Sequence, residues 1–575
     1  MTGSPSRGRR YVLLLVMLCG FAIVLFRLVS LQVLQAAELT AKADRQHQKT
    51  VSLEGARGTI VDRHGKVLAM NMEVPSVFGI PTALDSPAKT ARSLSPVLHV
   101  RTDELERKLR QDRSFVWLAR KLDPEQGHRL ERMPMEGIGL VMEGRRFYPK
   151  GSLLAHVLGF AGMDGEGLEG IERRYESQLH GEKRVVVLQR DAMGRTVFPK
   201  GQAEQVPAGG HGLVITIDEV IQYIAEKEVE EAVTKARAKS GTVIVLDPQS
   251  GAVLALAISP RFDPNAVASL TADRWRNRAL TDTYEPGSTM KALVAAAALE
   301  EKVMKPSTML YGENGRMTIA NTVIHDHEKL GWMTFAQVIQ KSSNIGAAKA
   351  GMALGDQRLY RYLQAFGFGQ KTEIDLPGEV GGLVKHPKEW GRRSLASISM
   401  GQEIGVTPIQ MVSAVAALAN GGVLMKPYVV SEVRDAQGKT LREILPQVKR
   451  RVVSPETART VTSILEGVVT DGTGTKAAIP GFRVAGKTGT AQKIDPRTGA
   501  YSSTLFVGSF VGFVPADNPR LAMIVVIDEP QGENWGGTVA APVFRRVGEQ
   551  VLNYLGVSSD EPVKLAMAST QRQVE

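Results

Sequence analysis

The chain has 575 residues, 43% of them apolar and 23% charged, with a formal charge of +11 and one cysteine. These proportions exclude wholesale disorder, and the length allows roughly four domain-sized units. The lone Cys19 excludes an intrachain disulfide framework and a zinc site built from several thiolates. The positive balance favours anionic partners. No RNP, KH, zinc-finger or basic-zipper pattern accompanies it, so nucleic acid is not expected.

The first element is apolar. Residues 11–26 carry no charge. At about 1.5 Å per residue they span roughly 24 Å, and continuing through residue 34 suffices for a ~30 Å hydrocarbon core. Arg7, Arg9 and Arg10 precede the run. This predicts a cytoplasmic N-terminus over 1–10, a transmembrane helix over 11–34 and the remainder outside. Arg27, inside the segment, either snorkels or faces a partner helix. A cleaved signal peptide is the rival, but its small-x-small pattern, Ala41-Lys42-Ala43, falls too late.

Residues 35–205 are charge-rich and mixed, a structural pedestal by expectation. The stretch 57–71 alternates around a His64-Gly65 turn and reads as a hairpin. A helical stretch follows near 103–113, and the segments 144–151 and 162–176 are turn-rich. Composition changes near Pro207-Ala208-Gly209-Gly210, opening a second unit over 206–557. There, 213–218 reads as a strand, 221–238 as a helix, and 242–257 as two apolar strands joined by a turn. Thr407-Pro408-Ile409-Gln410 is a capping box with proline at the first helical position, and Gly421-Gly422 closes that helix. Ser454-Pro455-Glu456 starts another, ending before Asp471-Gly472. Two apolar runs then flank the turn at 515–519. Strands, then helices, then strands predict an α+β unit with one sheet covered by helices. Residues 558–575 read as a polar tail.

Three short motifs could carry chemistry. Ser288-Thr289-Met290-Lys291 follows the Pro286-Gly287 break and opens an Ala/Leu/Val-rich helix. Ser288 then sits at a helix N-terminus with Lys291 one turn on and on the same face. A serine hydroxyl needs a base to become a nucleophile, and a desolvated lysine is one. A lone S-x-x-K is weak, and the chain supplies its own decoy, Ser86-Pro87-Ala88-Lys89. The second motif is Ser342-Ser343-Asn344, by itself a cap or turn. The third is Lys487-Thr488-Gly489-Thr490 on a strand, where Gly489 would let a ligand approach the backbone. Residues 481–488 also satisfy G-x-x-x-x-G-K-[ST]. No strand precedes them and no helix can follow through Gly489, Pro496 and Gly499, so a P-loop is rejected. His325-Asp326-His327 lacks a further ligand, so no metal site is expected.

Taken in order, S-x-x-K, S-x-N and K-T-G resemble the penicillin-recognising serine transferases and hydrolases. The wording around them, from Glu285 to Lys291, Lys341 to Gly346 and Lys487 to Gln492, is similar to class B penicillin-binding proteins. So are Arg57-Gly58-Thr59-Ile60-Val61-Asp62-Arg63, Gly167-Leu168-Glu169-Gly170-Ile171-Glu172 and Asp263-Pro264-Asn265. The resemblance implies an anchored, elongated α/β pedestal followed by a serine β-lactamase-like transpeptidase domain. It implies a D,D-transpeptidase acting on peptidoglycan stem peptides ending in D-Ala-D-Ala and acylated by β-lactams. It needs no metal or organic cofactor. By the same resemblance Ser288 is the nucleophile, Lys291 its base, Ser342 a proton relay and Asn344 an orienting residue. Lys487, Thr488, Gly489 and Thr490 bind the substrate carboxylate and oxyanion. The motif wording looks most like the division-type, FtsI-like members. It implies septal work beside a polytopic, FtsW-like glycan polymerase and other division proteins, in the inner membrane with the catalytic domain periplasmic. Ser399-Met400-Gly401-Gln402-Glu403 departs from the tyrosine-glycine wording of many division enzymes. The alternatives are an elongation-specific transpeptidase and a non-catalytic division scaffold. A β-lactamase would need a deacylating base, and no E-x-x-L-N pattern follows Ser342-Ser343-Asn344.

Overall fold

A computed structural model of the protein describes residues 7–39, 48–113, 115–190, 196–197, 208–266, 271–320 and 322–559. Ala41-Lys42-Ala43, Pro207 and almost all of the polar tail lie outside the described residues. The chain forms two compact units, residues 1–56 with 181–210, and residues 57–180 with 211–575.

The first unit holds the helix Arg7–Val29, which runs on through a π-helical turn, Ser30–Leu34. Of the described helices only Gly8–Leu34 is long and apolar enough to span a membrane; it has 27 residues, mean hydropathy 2.8 and no buried part. It is a candidate single-pass anchor. The unit also contains an antiparallel ladder of Gln48–Glu54 with Lys183–Arg190, extended by Thr196–Val197.

The second unit is built on two sheets. The one that carries the site has five antiparallel strands: β1 (Ser240–Leu246), β2 (Val253–Ser259), β3 (Ala485–Ile494), β4 (Tyr501–Val514) and β5 (Leu521–Asp528), in the order β2-β1-β5-β4-β3. β1 and β2 are buried at every position because helices cover both faces. The two-residue period divides the side chains. Val243 and Val245 join one core with helices α1 (Glu219–Ala236) and Ala541–Tyr554. Ile244 and Leu246 join another with α2 (Met290–Glu300) and Pro408–Ala419. The predicted caps are present. Asp218 accepts from the Val220 and Ile221 amides, Thr407 and Gln410 form a capping box, and Ser454 accepts from the Thr457 amide.

The other sheet mixes both halves of the sequence. Ile60–Val61 pairs with Val67–Gly79 across the expected hairpin, where Gly65 takes φ +82°. It also lies parallel to Gly212–Ile215, which pairs with Val430–Arg434. Arg57 and Arg146 converge on the fully buried Glu172, with Nε–carboxylate distances of 2.6 and 2.5 Å. The middle of the chain is less purely helical than its pattern suggests. Short antiparallel pairs, Met309–Tyr311 with Trp332–Thr334 and Arg316–Ile319 with Thr322–His325, interrupt it. Strands of three or four residues are too short for a two-residue period to register.

Candidate active site

The site begins where Pro286 stops the chain. Gly287–Thr289 form a single 3-10 turn that feeds α2, so Ser288 precedes the helix proper and Lys291 lies within its first turn. Gly287 takes φ +53° and donates its amide to the Gly401 carbonyl at 3.0 Å. The Thr289 hydroxyl caps the Pro286 carbonyl at 2.7 Å. These bonds fix the turn, and Ser288 stands half-buried where two cavities meet, of about 540 and 320 Å³.

Behind it Lys291 is fully buried. Its Nζ donates to the Ser342 carbonyl at 2.6 Å, to Asn344 Oδ1 at 2.7 Å and, more loosely, to Ser342 Oγ at 3.4 Å. None of these acceptors is charged. Burial therefore dominates and lowers the Lys291 pKa to about 7, with Asp326 pulling weakly the other way. Lys487, on β3, is also fully buried, and its Nζ donates to Ser342 Oγ at 3.0 Å and to Thr488 Oγ1 at 3.3 Å. Burial, and then the neighbouring Lys291, hold its pKa well below the usual lysine range. Ser342 Oγ thus accepts from both amines, which leaves its own proton free to donate elsewhere.

Ser342 is held at φ +61°, a left-handed conformation unusual for serine. It turns the chain so that the helix Asn344–Leu354 starts immediately after it. Asp326 anchors that start. Its carboxylate accepts from the Ser343 hydroxyl at 2.6 Å, from the Ile345 amide at 3.1 Å and from the Asn344 amide. Asn344 Nδ2 in turn donates to the His325 carbonyl at 2.8 Å, which aims Oδ1 at Lys291. On the opposite wall, Thr488 Oγ1 meets Thr473 Oγ1 at 2.7 Å, and Thr490 Oγ1 accepts from the Gly536 amide at 3.1 Å.

All three motifs therefore converge. A nucleophile-type hydroxyl, an amine poised near neutrality and a bridging hydroxyl share one cleft, with β3 as its wall. That set suits acyl transfer through a serine ester.

Residues 241–549 match the family described as penicillin binding protein transpeptidase domain, and residues 52–215 match the penicillin-binding protein dimerisation domain. The chain belongs to the class B penicillin-binding proteins. It is 36% identical to stage V sporulation protein D of Bacillus subtilis over 95% of this chain and 86% of that one. It is 32% identical to the peptidoglycan D,D-transpeptidase FtsI of Escherichia coli over 95% and 92%. The solved structure of penicillin-binding protein 3 from Mycobacterium tuberculosis with aztreonam superposes with TM-score 0.70 at 29% identity, covering 89% of this chain and 99% of that one.

Seen as a class B penicillin-binding protein, the chain corrects several sequence expectations. Gly489 does not open β3 to a ligand. A Cβ there would lie 2.8 Å from Thr289 Cγ2 and 2.9 Å from the Pro286 carbonyl, so this glycine lets the Gly287–Thr289 turn close against the strand. Asp326, read from sequence only as a poor metal ligand, instead organises the Ser343-Asn344 turn. Among the described residues no group of three or more metal-ligating side chains occurs. Sequence reasoning also missed Glu285. Its Oε1 accepts from the Glu403 amide and the Tyr501 hydroxyl, both at 2.9 Å, and ties the segment before Ser288 to the loop at Glu403 and to the start of β4. Burial raises its pKa, with Glu403 adding to the rise. The decoy Ser86 is an exposed helix start, and its Lys89 is exposed as well. The P-loop look-alike is also resolved, because Lys487 lies inside a strand.

Proposed function

We propose that this chain is a peptidoglycan D,D-transpeptidase in which Ser288 attacks the penultimate D-alanine carbonyl of a stem peptide. The Ser288 proton passes to Lys291, the C–O bond of an acyl-enzyme forms, and the peptide C–N bond breaks. Ser342 relays the proton to the departing D-alanine amine. Asn344 orients Lys291 and bonds the substrate amide. Lys487, Thr488 and Thr490 receive the terminal carboxylate, and the Ser288 and Thr490 amides hold the oxyanion. An amine from a neighbouring stem then resolves the ester. β-Lactams acylate Ser288 as substrate mimics.

The observation that carries this reading is Lys291, buried without a carboxylate partner and brought to a pKa of about 7 within one turn of Ser288. Labelling with a fluorescent β-lactam tests it. The wild type should form one covalent adduct, on the peptide containing Ser288, and Ser288→Ala should form none. An adduct on another serine would refute the assignment.

We further propose septal rather than lateral-wall work, supported by the similarity to FtsI. The anchor then holds residues 1–10 in the cytoplasm, the catalytic unit outside the inner membrane, and its own helix against an FtsW-like polymerase. Exchanging residues 11–34 for an unrelated spanning helix should preserve acylation but cut polymerase co-purification and division. A chimera that divides normally reduces the anchor to a tether.

A further inference from the structure

The two cavities at Ser288 share a wall residue that the proposed mechanism leaves unused. His327 lines both of them, as do Ser288, Thr490 and Trp535. Its ring meets Trp535 edge to face, with centroids 4.5 Å apart, so the imidazole and the indole stand together at the junction. His327 is exposed, open to whatever occupies either cavity. Its backbone is fixed by the residue before it, since Asp326 is bonded to the start of the helix Asn344–Leu354.

The second half of the reaction needs a proton acceptor at this junction. Lys291 serves the first half, and its Nζ is bonded inward to Ser342 and Asn344. The stem that has acylated Ser288 fills one side of the serine, and the incoming amine must arrive from the other. We propose that His327 is the base that takes a proton from the acceptor amine as it attacks the acyl-enzyme.

The step balances. The neutral amine nitrogen forms a bond to the ester carbonyl carbon and gives one proton to the imidazole. The bond between that carbon and Ser288 Oγ breaks, and Oγ takes a proton from Lys291, which has drawn one from solvent since the departing D-alanine amine took the Ser288 proton. The imidazolium then returns one proton to solvent, so the proton drawn and the proton released cancel and Lys291 ends neutral for the next acylation. The charges facing His327 suit a neutral imidazole. Loss of solvent on the inner side of the ring and, next, the nearby Lys291 lower its pKa below 6.5, with a smaller push from Lys487, and Asp326 and Glu328 oppose them without reversing the shift. It is therefore unprotonated and ready to accept at neutral pH.

This inference rests on the transpeptidase reading, and one experiment separates their failures. The full chain is given a thioester analogue of the donor stem, with D-alanine as acceptor amine. Acylation, hydrolysis and aminolysis are followed separately for wild type, His327→Gln and His327→Gly. Aminolysis should fall about 10²-fold in both variants. Acylation by the thioester and by a fluorescent β-lactam should change by less than about threefold, well below the effect of losing a general base. Added imidazole should restore aminolysis in His327→Gly but not in His327→Gln, whose side chain fills the space. Unchanged aminolysis, or aminolysis and acylation falling together, overturns the role of His327 alone. A wild type that is never acylated overturns the transpeptidase reading and this inference with it.

Discussion

Two clusters of buried charge in the same compact unit are built on opposite logic. Around Glu172 every charge has a partner: Arg57 and Arg146 each bond the carboxylate, and Tyr148 adds its hydroxyl at 3.3 Å. Burial works against the Arg57 cation, yet Glu172 and Glu176 outweigh it, and its pKa ends raised. Around Lys291 two amines are equally buried and neither touches a carboxylate; their acceptors are carbonyl, amide and hydroxyl oxygens. Their pKa values fall instead. The paired cluster fixes a shape and keeps its protons. The unpaired one stores the capacity to exchange them, which is what a serine nucleophile requires.

If the contrast is right, a change in the unpaired cluster should strike chemistry and a change in the paired one should strike stability. Lys291→Met should lower the rate of β-lactam acylation by about 10²–10⁴, the usual worth of a general base. The folded protein should be no less stable, because a buried amine is replaced by an apolar chain of similar length. The wild type should lose acylation as pH falls through about 7, where Lys291 takes up its proton. Stability has its own signature. The folded pKa lies below the 10.5 of an ordinary lysine, so between these values the unfolded chain binds more protons. Stability from this group therefore rises with pH from about 7 to 10.5 and is lost again as pH returns towards 7. Urea titrations across that window should show the slope in wild type and a flatter one in Lys291→Met. Retained acylation in the variant would break the contrast at its catalytic end.

Glu172→Gln probes the other end. It leaves the buried Arg146 without its anion and Arg57 with Glu176 alone, which costs about 3–5 kcal/mol. The urea midpoint should drop accordingly, while acylation per folded molecule stays at the wild-type rate. Loss of acylation at undiminished stability would show that the paired cluster also serves the chemistry.

Much of this was readable in the chain. Helix starts at Asp218, Thr407 and Ser454 announced themselves because caps are local chemistry, and the three motifs appeared in order. Convergence was not readable. Glu285 meets Tyr501 across 216 residues and Asp326 meets Ser343 across 17, distances over which no periodicity speaks. The Gly212–Ile215 strand was correctly extended in expectation, but that its neighbours are Ile60–Val61 and Val430–Arg434 is a matter of sheet topology. The left-handed Ser342 was equally hidden, since serine gives no warning of that conformation. Gly489 shows the subtler failure, where the residue was noticed and the wrong neighbour supposed for it.

Asp326 belongs to neither cluster and so refines the contrast most finely. It caps the helix that carries Asn344, and its charge is the one feature that raises the Lys291 pKa against burial. The two roles separate in two variants. Asp326→Asn keeps an oxygen for the Asn344 and Ile345 amides but removes the charge. The Lys291 pKa should then fall further, so the pH midpoint for acylation moves to lower pH while the rate on the alkaline plateau falls by less than about tenfold. Asp326→Ala also removes the acceptors and leaves two helix-start amides and the Ser343 hydroxyl without their partner, a cost of about 1–3 kcal/mol. Asn344 then loses its anchor, and the plateau rate itself should fall, by about tenfold if one bond to Lys291 is weakened by ~1.4 kcal/mol. A midpoint that shifts equally in both variants with no difference in plateau would mean that only the charge matters. A plateau that falls in Ala alone would show that alignment of Asn344, as well as the field on Lys291, is set by this one carboxylate.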